Sequence, residues 1–227
     1  MWWVTNQKGG VSALGLQRML GLGSYETAWA CLHKLRRAMV RPGRDQLSGT
    51  VEVDEVAIGG TVRGNQGKAW RNGEKKAIVV VAVEIRGEGT GRVRLKHVPN
   101  TSSAALGGFV SEAVAAGSEI VTDGWRGYSG LQDLGYIHHR TTLEGRGDQA
   151  SNAVLPRVNR ISALLKRWIM GMHQGRASRK QLSSYLDEFV FRFNRRTSPQ
   201  RGMLFYRLAQ QAVVTRPSPY KAITKQR

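Results

Sequence analysis

Apolar positions along this chain change their period near residue 50. Residues 11–40 follow helical spacing and predict two short helices about Gly21-Leu22-Gly23-Ser24. Ser24 is placed to cap the second, in which Ala28, Leu32, Leu35 and Met39 recur on one face, with His33, Lys34, Arg36 and Arg37 largely on others. The result is helix-turn-helix-like with a basic second helix, a pattern shared by DNA readers and by ordinary helical hairpins. Residues 40–47, with Pro42 and Gly43, read as a linker.

From residue 50 the chain alternates as strands do. β-branched residues and carboxylates interleave in 50–58, and 77–85 is continuously apolar, as in a central strand. A turn at 87–91 leads into 92–98, whose period of two suits a strand nearer an edge. Leu106, Phe109, Val110 and Ala113 predict a helix over 101–117, followed by a strand ending at Asp123, a short helix near 128–134 and a strand over 137–142. A further helix opens behind Pro156 with Ile161, Leu164, Leu165 and Trp168 inward, and another covers 180–196 on Leu182, Leu186, Phe189 and Phe193. Residues 216–227 read as a frayed basic tail. Three strands joined by turns, then strands joined through helices, predict an α/β, ribonuclease H-like mixed five-stranded sheet with flanking helices, its first and fourth strands parallel neighbours. The expected division is a helical segment over 1–45, a catalytic domain over 46–214 and a tail over 215–227.

Charge changes the picture. Lys and Arg number 35 against 16 Asp and Glu, a net +19, while a 41% apolar fraction and six tryptophans supply a packed core. Such a surface attracts polyanions, nucleic acid first among them. Cys31, the single cysteine, precludes an intrachain disulfide or a Cys-rich zinc site. No apolar stretch suits a membrane span and the start lacks secretory-signal features, so the expectation is a cytoplasmic, nucleoid-associated protein without a membrane partner.

Against that cationic background stand Asp54 and Asp123, each on a strand. In the expected order the two strands are neighbours, which brings the aspartates together as ligands for a divalent cation; singly, each reads equally well as a turn residue or helix cap. The helix after Pro156 offers no carboxylate, but Asn159 lies in its first turn and Lys166 two turns on along nearly the same face. Asn159 can lend a carbonyl oxygen to a hard cation and Lys166 can approach phosphate; alternatively Asn159 helps start the helix and Lys166 joins Arg167 in a solvated pair.

Asp54 within VEVDE, then IGG, Asp123 within TDGWRGY, and NRISALLKRW followed by YLDEFVFRFNRR resemble the DDE-type transposases of bacterial insertion sequences, in particular the ISXO2-like domain of the IS1595 family, over nearly the whole chain. In that family the third acidic position is glutamate in many members and asparagine in others, with a lysine seven residues later. The resemblance implies Asp54, Asp123, Asn159 and Lys166 as the active-site set, the first three holding Mg²⁺, with Mn²⁺ able to substitute. It implies cleavage and strand transfer on double-stranded DNA, at element ends and target, by a homodimer or larger assembly. Many members carry an N-terminal zinc ribbon for which this sequence has no counterpart, so end recognition is expected to rest on residues 1–40, or the reading frame is a shortened one. A ribonuclease H-like nuclease and a non-catalytic DNA-binding remnant are the alternative readings.

Asparagine leaves the site one negative charge short, and Glu52, on the strand face of Asp54, and Asp148, in the loop 145–149, are candidate compensators. Glu55 points to the opposite face and reads as a salt-bridge partner. His138 and His139 alternate across a strand and are poorly placed to share a metal. Arg63, Lys68 and Arg71, beside Trp70, are expected to grip DNA, as is Arg167; Arg195 and Arg196 either hold DNA or cap their helix.

Overall fold

The computed structural model describes residues 1–7, 9–41, 43–59, 76–141, 154–173, 178–200 and 202–224. In chain order its elements are α1 (Trp2–Asn6), α2 (Ala13–Leu20), α3 (Tyr25–Ala38), β1 (Thr50–Ile58), β2 (Ala77–Arg86), β3 (Gly89–Val98), α4 (Ser103–Ala113), β4 (Glu119–Asp123), a 3-10 helix (Arg126–Leu131), β5 (Ile137–Thr141), α5 (Pro156–His173), α6 (Arg179–Phe193), α7 (Met203–Val214) and α8 (Tyr220–Thr224). They form two compact units: a sheet unit, Asp45–Arg167, and a helical unit of Met1–Arg44 with Trp168–Arg227.

The sheet runs β3-β2-β1-β4-β5. β1 is antiparallel to β2 and parallel to β4, and β5 is parallel to β4. This is the expected ribonuclease H-like order with β1 at its centre. Strand alternation divides β1 between two faces. Val51 and Val53 join Ile78, Val80, Ala82 and Ile120 in a core closed by Leu106, Phe109 and Val110 of α4 and by Tyr128 and Leu131. The opposite face carries Glu52 and Asp54.

Two boundaries differ from the sequence reading for visible reasons. β3 begins at Gly89 because the β2–β3 turn is only Arg86–Gly89, with Gly87 at φ 52°. A Cβ at Gly91 would lie 2.9 Å from both the carbonyl and a carboxylate oxygen of Glu84, so glycine is what lets the strand pass that side chain. α4 stops at Ala113 rather than continuing to 117, because Leu47 donates to the Ala113 carbonyl (2.9 Å) and accepts from Ala115 N–H (2.8 Å). The expected linker therefore ends in a strand-like bridge.

Glu52 fixes the start of α5. Its carboxylate is 2% exposed; Oε2 accepts the backbone N–H groups of Arg157 and Val158, each at 2.8 Å, while Oε1 accepts Arg157 Nη1 at 3.2 Å. A helix's first N–H groups have no partner within the helix and concentrate partial positive charge, so a buried carboxylate there is satisfied in both hydrogen bonding and charge. Arg157 also donates to the carbonyls of Gly87, Glu88 and Gly89, tying β1, the β2–β3 turn and α5 together.

In the helical unit, Ser12 and Ser24 cap α2 and α3 by accepting from Gly15 and Thr27, and Gly21 ends α2 in the left-handed region at φ 61°. The core joins Val4, Val11, Leu16, Ala28 and Leu32 to Phe191 and Leu208. His33 and Arg36, expected largely on outer faces of α3, are buried. Arg36 Nε meets Glu188 Oε2 at 2.7 Å; Arg192 Nη2 meets Glu188 Oε1 at 2.7 Å and also reaches the carbonyl of Val4. A buried carboxylate requires such partners, and this one draws α6 to the N-terminal helices. The compact units thus cross the expected 46–214 division. The tail also differs: α8 buries Ile223, whose carbonyl accepts Gln181 Nε2 at 3.2 Å, so the chain is anchored to residue 224 rather than frayed from 216. Neither α1 nor α7 was individually legible in the sequence.

Two stability effects follow. Glu52→Ala strands two N–H groups and a guanidinium and is expected to cost about 3 kcal/mol or more in urea unfolding, with Glu52→Gln losing less; wild-type stability for both would refute the helix-anchor role. Burial pushes the Asp187 carboxyl up to about 6 against the pull of Arg44. The folded state therefore binds this proton more tightly, and stability falls as pH rises from 3.8 through about 6. Asp187→Asn should raise stability at neutral pH by on the order of 2 kcal/mol, with the gain fading toward pH 4, as read from thermal melts across pH.

Candidate active site

The β1–β4 register pairs Thr50 with Glu119, Val51 with Ile120 and Glu52 with Val121. Continued by two residues, the same offset sets Asp54 abreast of Asp123, the last residue of β4. Both are half-buried. Asp54 Oδ1 accepts the Glu55 N–H at 2.8 Å and Asp123 Oδ1 accepts the Trp125 N–H at 2.9 Å, so each carboxylate is oriented through one oxygen by backbone. The turn after Asp123 is held by Trp125 Nε1, which donates to the Thr101 carbonyl at 3.2 Å. A Cβ at Gly127 would come within 2.6 Å of that carbonyl, so only glycine fits beneath the indole.

Tyr128 lies behind this pair. Fully buried, it donates its hydroxyl to Glu55 Oε2 at 2.9 Å. Its phenol pKa is pushed well up, first by burial and then by the charges of Glu55, Asp54 and Asp123, which keeps it a donor. Both aspartates of the expected site thus act electrostatically on one buried phenol. Glu55, expected in a salt bridge, accepts this phenol hydrogen bond on the core face. Tyr128 stands within the TDGWRGY run and went unread: a tyrosine among glycines carries no periodic signal, and its partner is 73 residues away.

Asn159 is the fourth residue of α5, half-buried, in the turn that Glu52 anchors. Since Glu52 lies two residues before Asp54 on the same face of β1, the anchor brings the start of α5 to the face that carries Asp54. Lys166 and Arg167 follow on α5 and are exposed. Glu52 itself is committed to Arg157 and the helix terminus. His138 Nε2 meets Thr122 Oγ1 at 2.9 Å, and burial, with the neighbouring Arg140 and His139 charges, lowers its pKa; His139 is exposed. Arg63, Lys68, Trp70, Arg71 and Asp148 lie outside the described residues.

Arg195 and Arg196 belong to the helical unit, at the end of α6. Their guanidiniums lie over Phe191 and Phe193, 4.1 and 3.8 Å from the ring centroids, and donate to the carbonyls of those residues at 3.3 and 3.0 Å. Both therefore cap α6, one of the two roles left open for them.

Among the described residues no group of three or more His, Cys, Asp and Glu is arranged to hold a metal ion. Asp54, Asp123 and the Asn159 amide are all oxygen donors, the ligand type that a hard divalent cation takes. No helix among the described residues is long and apolar enough to cross a membrane.

No curated protein is significantly similar to the chain. Among solved structures, one from the cryoEM structure of a simian T-cell lymphotropic virus intasome in complex with PP2A regulatory subunit B56 gamma matches 88% of this chain and 71% of its own at 15% identity, with a TM-score of 0.41. The family model of the ISXO2-like transposase domain matches residues 46–194, a span that takes in Asp54, Asp123, Asn159 and Lys166. The chain therefore belongs to the ISXO2-like transposase domain family of IS1595-type elements.

Proposed function

We propose that the protein is a DNA transposase that cuts and joins strands at insertion-sequence ends, with Asp54, Asp123, Asn159 and Lys166 as its active-site set. What supports this reading is the parallel β1–β4 register, whose extension by two residues leads Asp54 toward Asp123, within the region matched to a transposase family. Double-stranded DNA at element ends and target is the substrate, and pairing two ends calls for a homodimer or larger assembly on DNA.

Asp54 and Asp123 would hold Mg²⁺ or Mn²⁺ with the Asn159 carbonyl; when bound, the ion supplies Lewis-acid stabilisation of charge on the phosphate oxygens. The backbone N–H groups of Glu55 and Trp125 keep both carboxylates aimed, and the phenol of Tyr128 fixes the neighbouring Glu55. Glu52 holds the first turn of α5, and with it Asn159, against β1. Lys166 and Arg167 present exposed positive charge to the DNA backbone. In cleavage a water oxygen bonds to phosphorus and the 3′ oxygen departs with a proton, leaving a free 3′-hydroxyl. In joining, that hydroxyl attacks a target phosphodiester and displaces the target's own 3′ oxygen, with no protein–DNA covalent bond.

A non-catalytic DNA-binding role is favoured by one observation, the amide of Asn159, which leaves the proposed set one carboxylate short of a full acidic triad. The two readings separate in a joining assay with a labelled oligonucleotide bearing the element end and a free 3′-hydroxyl, plasmid target, and Mg²⁺ or Mn²⁺. Joining is expected from the wild type and should fall by about two orders of magnitude or more in Asp54→Ala and Asp123→Ala. Asn159→Glu restores a third charge and should lower the Mg²⁺ concentration giving half-maximal joining. Absence of joining by the wild type under conditions where it binds the oligonucleotide would establish the binding role instead.

A further inference from the structure

Four arginines of the sheet unit are committed within it. Arg92 and Arg157 meet Glu84 and Glu52, Arg86 also lies against Glu84, and Arg94 is buried on the carbonyls of Val93 and Asp45. Arg126 and Arg140 differ: both are exposed and, among the described residues, neither meets a carboxylate. The turn that follows Asp123 holds them both. Arg140 Nη2 donates to the Gly124 carbonyl at 3.2 Å, and the Arg126 guanidinium carbon lies 5.9 Å from the centroid of the Trp125 ring.

That turn is itself fixed. The Trp125 N–H is bonded to Asp123, its indole N–H to the Thr101 carbonyl, and a Cβ at Gly127 would come within 2.6 Å of both the indole nitrogen and that carbonyl. A guanidinium set on such a support loses little freedom on meeting a phosphate, and one bond to a carbonyl leaves the other N–H groups of Arg140 to make a fork for phosphate oxygens. The β4–β5 register pairs Thr122 with Arg140 and Asp123 with Thr141, so Arg140 leaves the sheet on the face opposite Asp123, and its guanidinium passes the end of β4 to reach Gly124. Arg126 follows Asp123 by three residues, which puts its Cα at most about 11 Å away. Each strand of duplex DNA carries a phosphate about every 3.4 Å along the axis, so these cations fall within about three nucleotides of a phosphodiester held at Asp123. The carboxyl end of parallel strands is also where open α/β sheets take their ligands.

We propose that Arg126 and Arg140 form a phosphate-binding ledge at the carboxyl end of β4, which holds the DNA strand entering the active site within about three nucleotides of the reacting phosphodiester. The DNA identity of the polyanion rests on the transposase reading. Asp54 and Asp123 repel a phosphate that approaches them, and two cations at the rim of the same strand offset that repulsion. Neither residue is among the DNA contacts expected from the sequence. One arginine past a tryptophan and another inside a short strand make no cationic run, and only the fold brings them to one turn.

The test places a single neutral methylphosphonate at successive positions of the element-end duplex used for joining and measures binding of the full chain in EDTA. For the wild type, neutral positions within about three nucleotides of the reacting 3′ end should weaken binding several-fold. Arg126→Gln and Arg140→Gln should each weaken it several-fold on the unmodified duplex, lower the slope of log affinity against log salt by about 1, and then be insensitive to a methylphosphonate at the phosphate they contact. Arginine-to-lysine variants at both positions should keep the wild-type slope. Lys96→Gln makes the same charge change on β3 at the far edge of the sheet, where Lys96 pairs with Glu112, and its effect should multiply with that of every methylphosphonate. Effects of both glutamine variants that multiply at every position, or a lowered melting temperature with no such coupling, would overturn the ledge and leave the two arginines as braces of the turn. Because EDTA removes any metal-dependent step, a wild type that binds but does not join strands removes the catalytic reading and leaves the coupling measurable. Joining by a wild type whose arginines show no coupling removes the ledge alone, and absence of binding to the duplex removes both.

Discussion

Three carboxylates within four residues of a central strand are the constraint around which the sheet unit is organised. β1 is flanked on both sides, so none of Glu52, Asp54 and Glu55 can reach solvent by lying on an edge. Strand alternation separates Glu55 from the other two. Each is then satisfied differently: Glu55 by a buried phenol, Glu52 by a helix terminus and a guanidinium, Asp54 by the N–H next along its own strand. The first two solutions consume their carboxylates and define the layers on either face. Asp54 stands at the half-buried position of the strand, whose parallel partner β4 ends in Asp123.

The two units differ sharply in charge. The sheet unit, with sixteen Lys and Arg against thirteen Asp and Glu, is nearly balanced at +3, and the helical unit, with nineteen against three, holds +16. The helical unit spends its one deeply buried carboxylate, Glu188, on Arg36 of α3 and Arg192 of α6, and Arg192 also reaches the Gln7 carbonyl after α1. The chain's positive charge is thus concentrated in one of its two units, a division the overall composition does not show.

How much was legible follows from the range of the interactions. The succession of strands and helices, the parallel adjacency of β1 and β4 and the position of α4 rest on periodicity, turn residues and connection type, and the sequence reading of them agrees with the structure. The uses of Glu52, Glu55, Arg36 and Arg192 depend on partners 73 to 188 residues away and leave no trace in spacing. Basic residues on a helix read as solvated or as DNA contacts; that Arg36 instead serves a buried glutamate could be known only from the fold. The tail misled for a related reason, because a single buried isoleucine, Ile223, outweighs a basic composition.

The asparagine at 159 gains physical sense from this arrangement. A carboxylate in the first turn of α5 would be favourable for the helix, whose N-terminus attracts negative charge, so helix electrostatics alone do not explain an amide there. But that terminus is already occupied by the Glu52 carboxylate, which takes the N–H groups of Arg157 and Val158, the two residues immediately before Asn159. A second anion so close would meet Glu52 as well as the helix dipole, across a poorly screened, half-buried space. An amide at 159 brings no such repulsion, while Glu52 spends its charge on setting the helix that carries it.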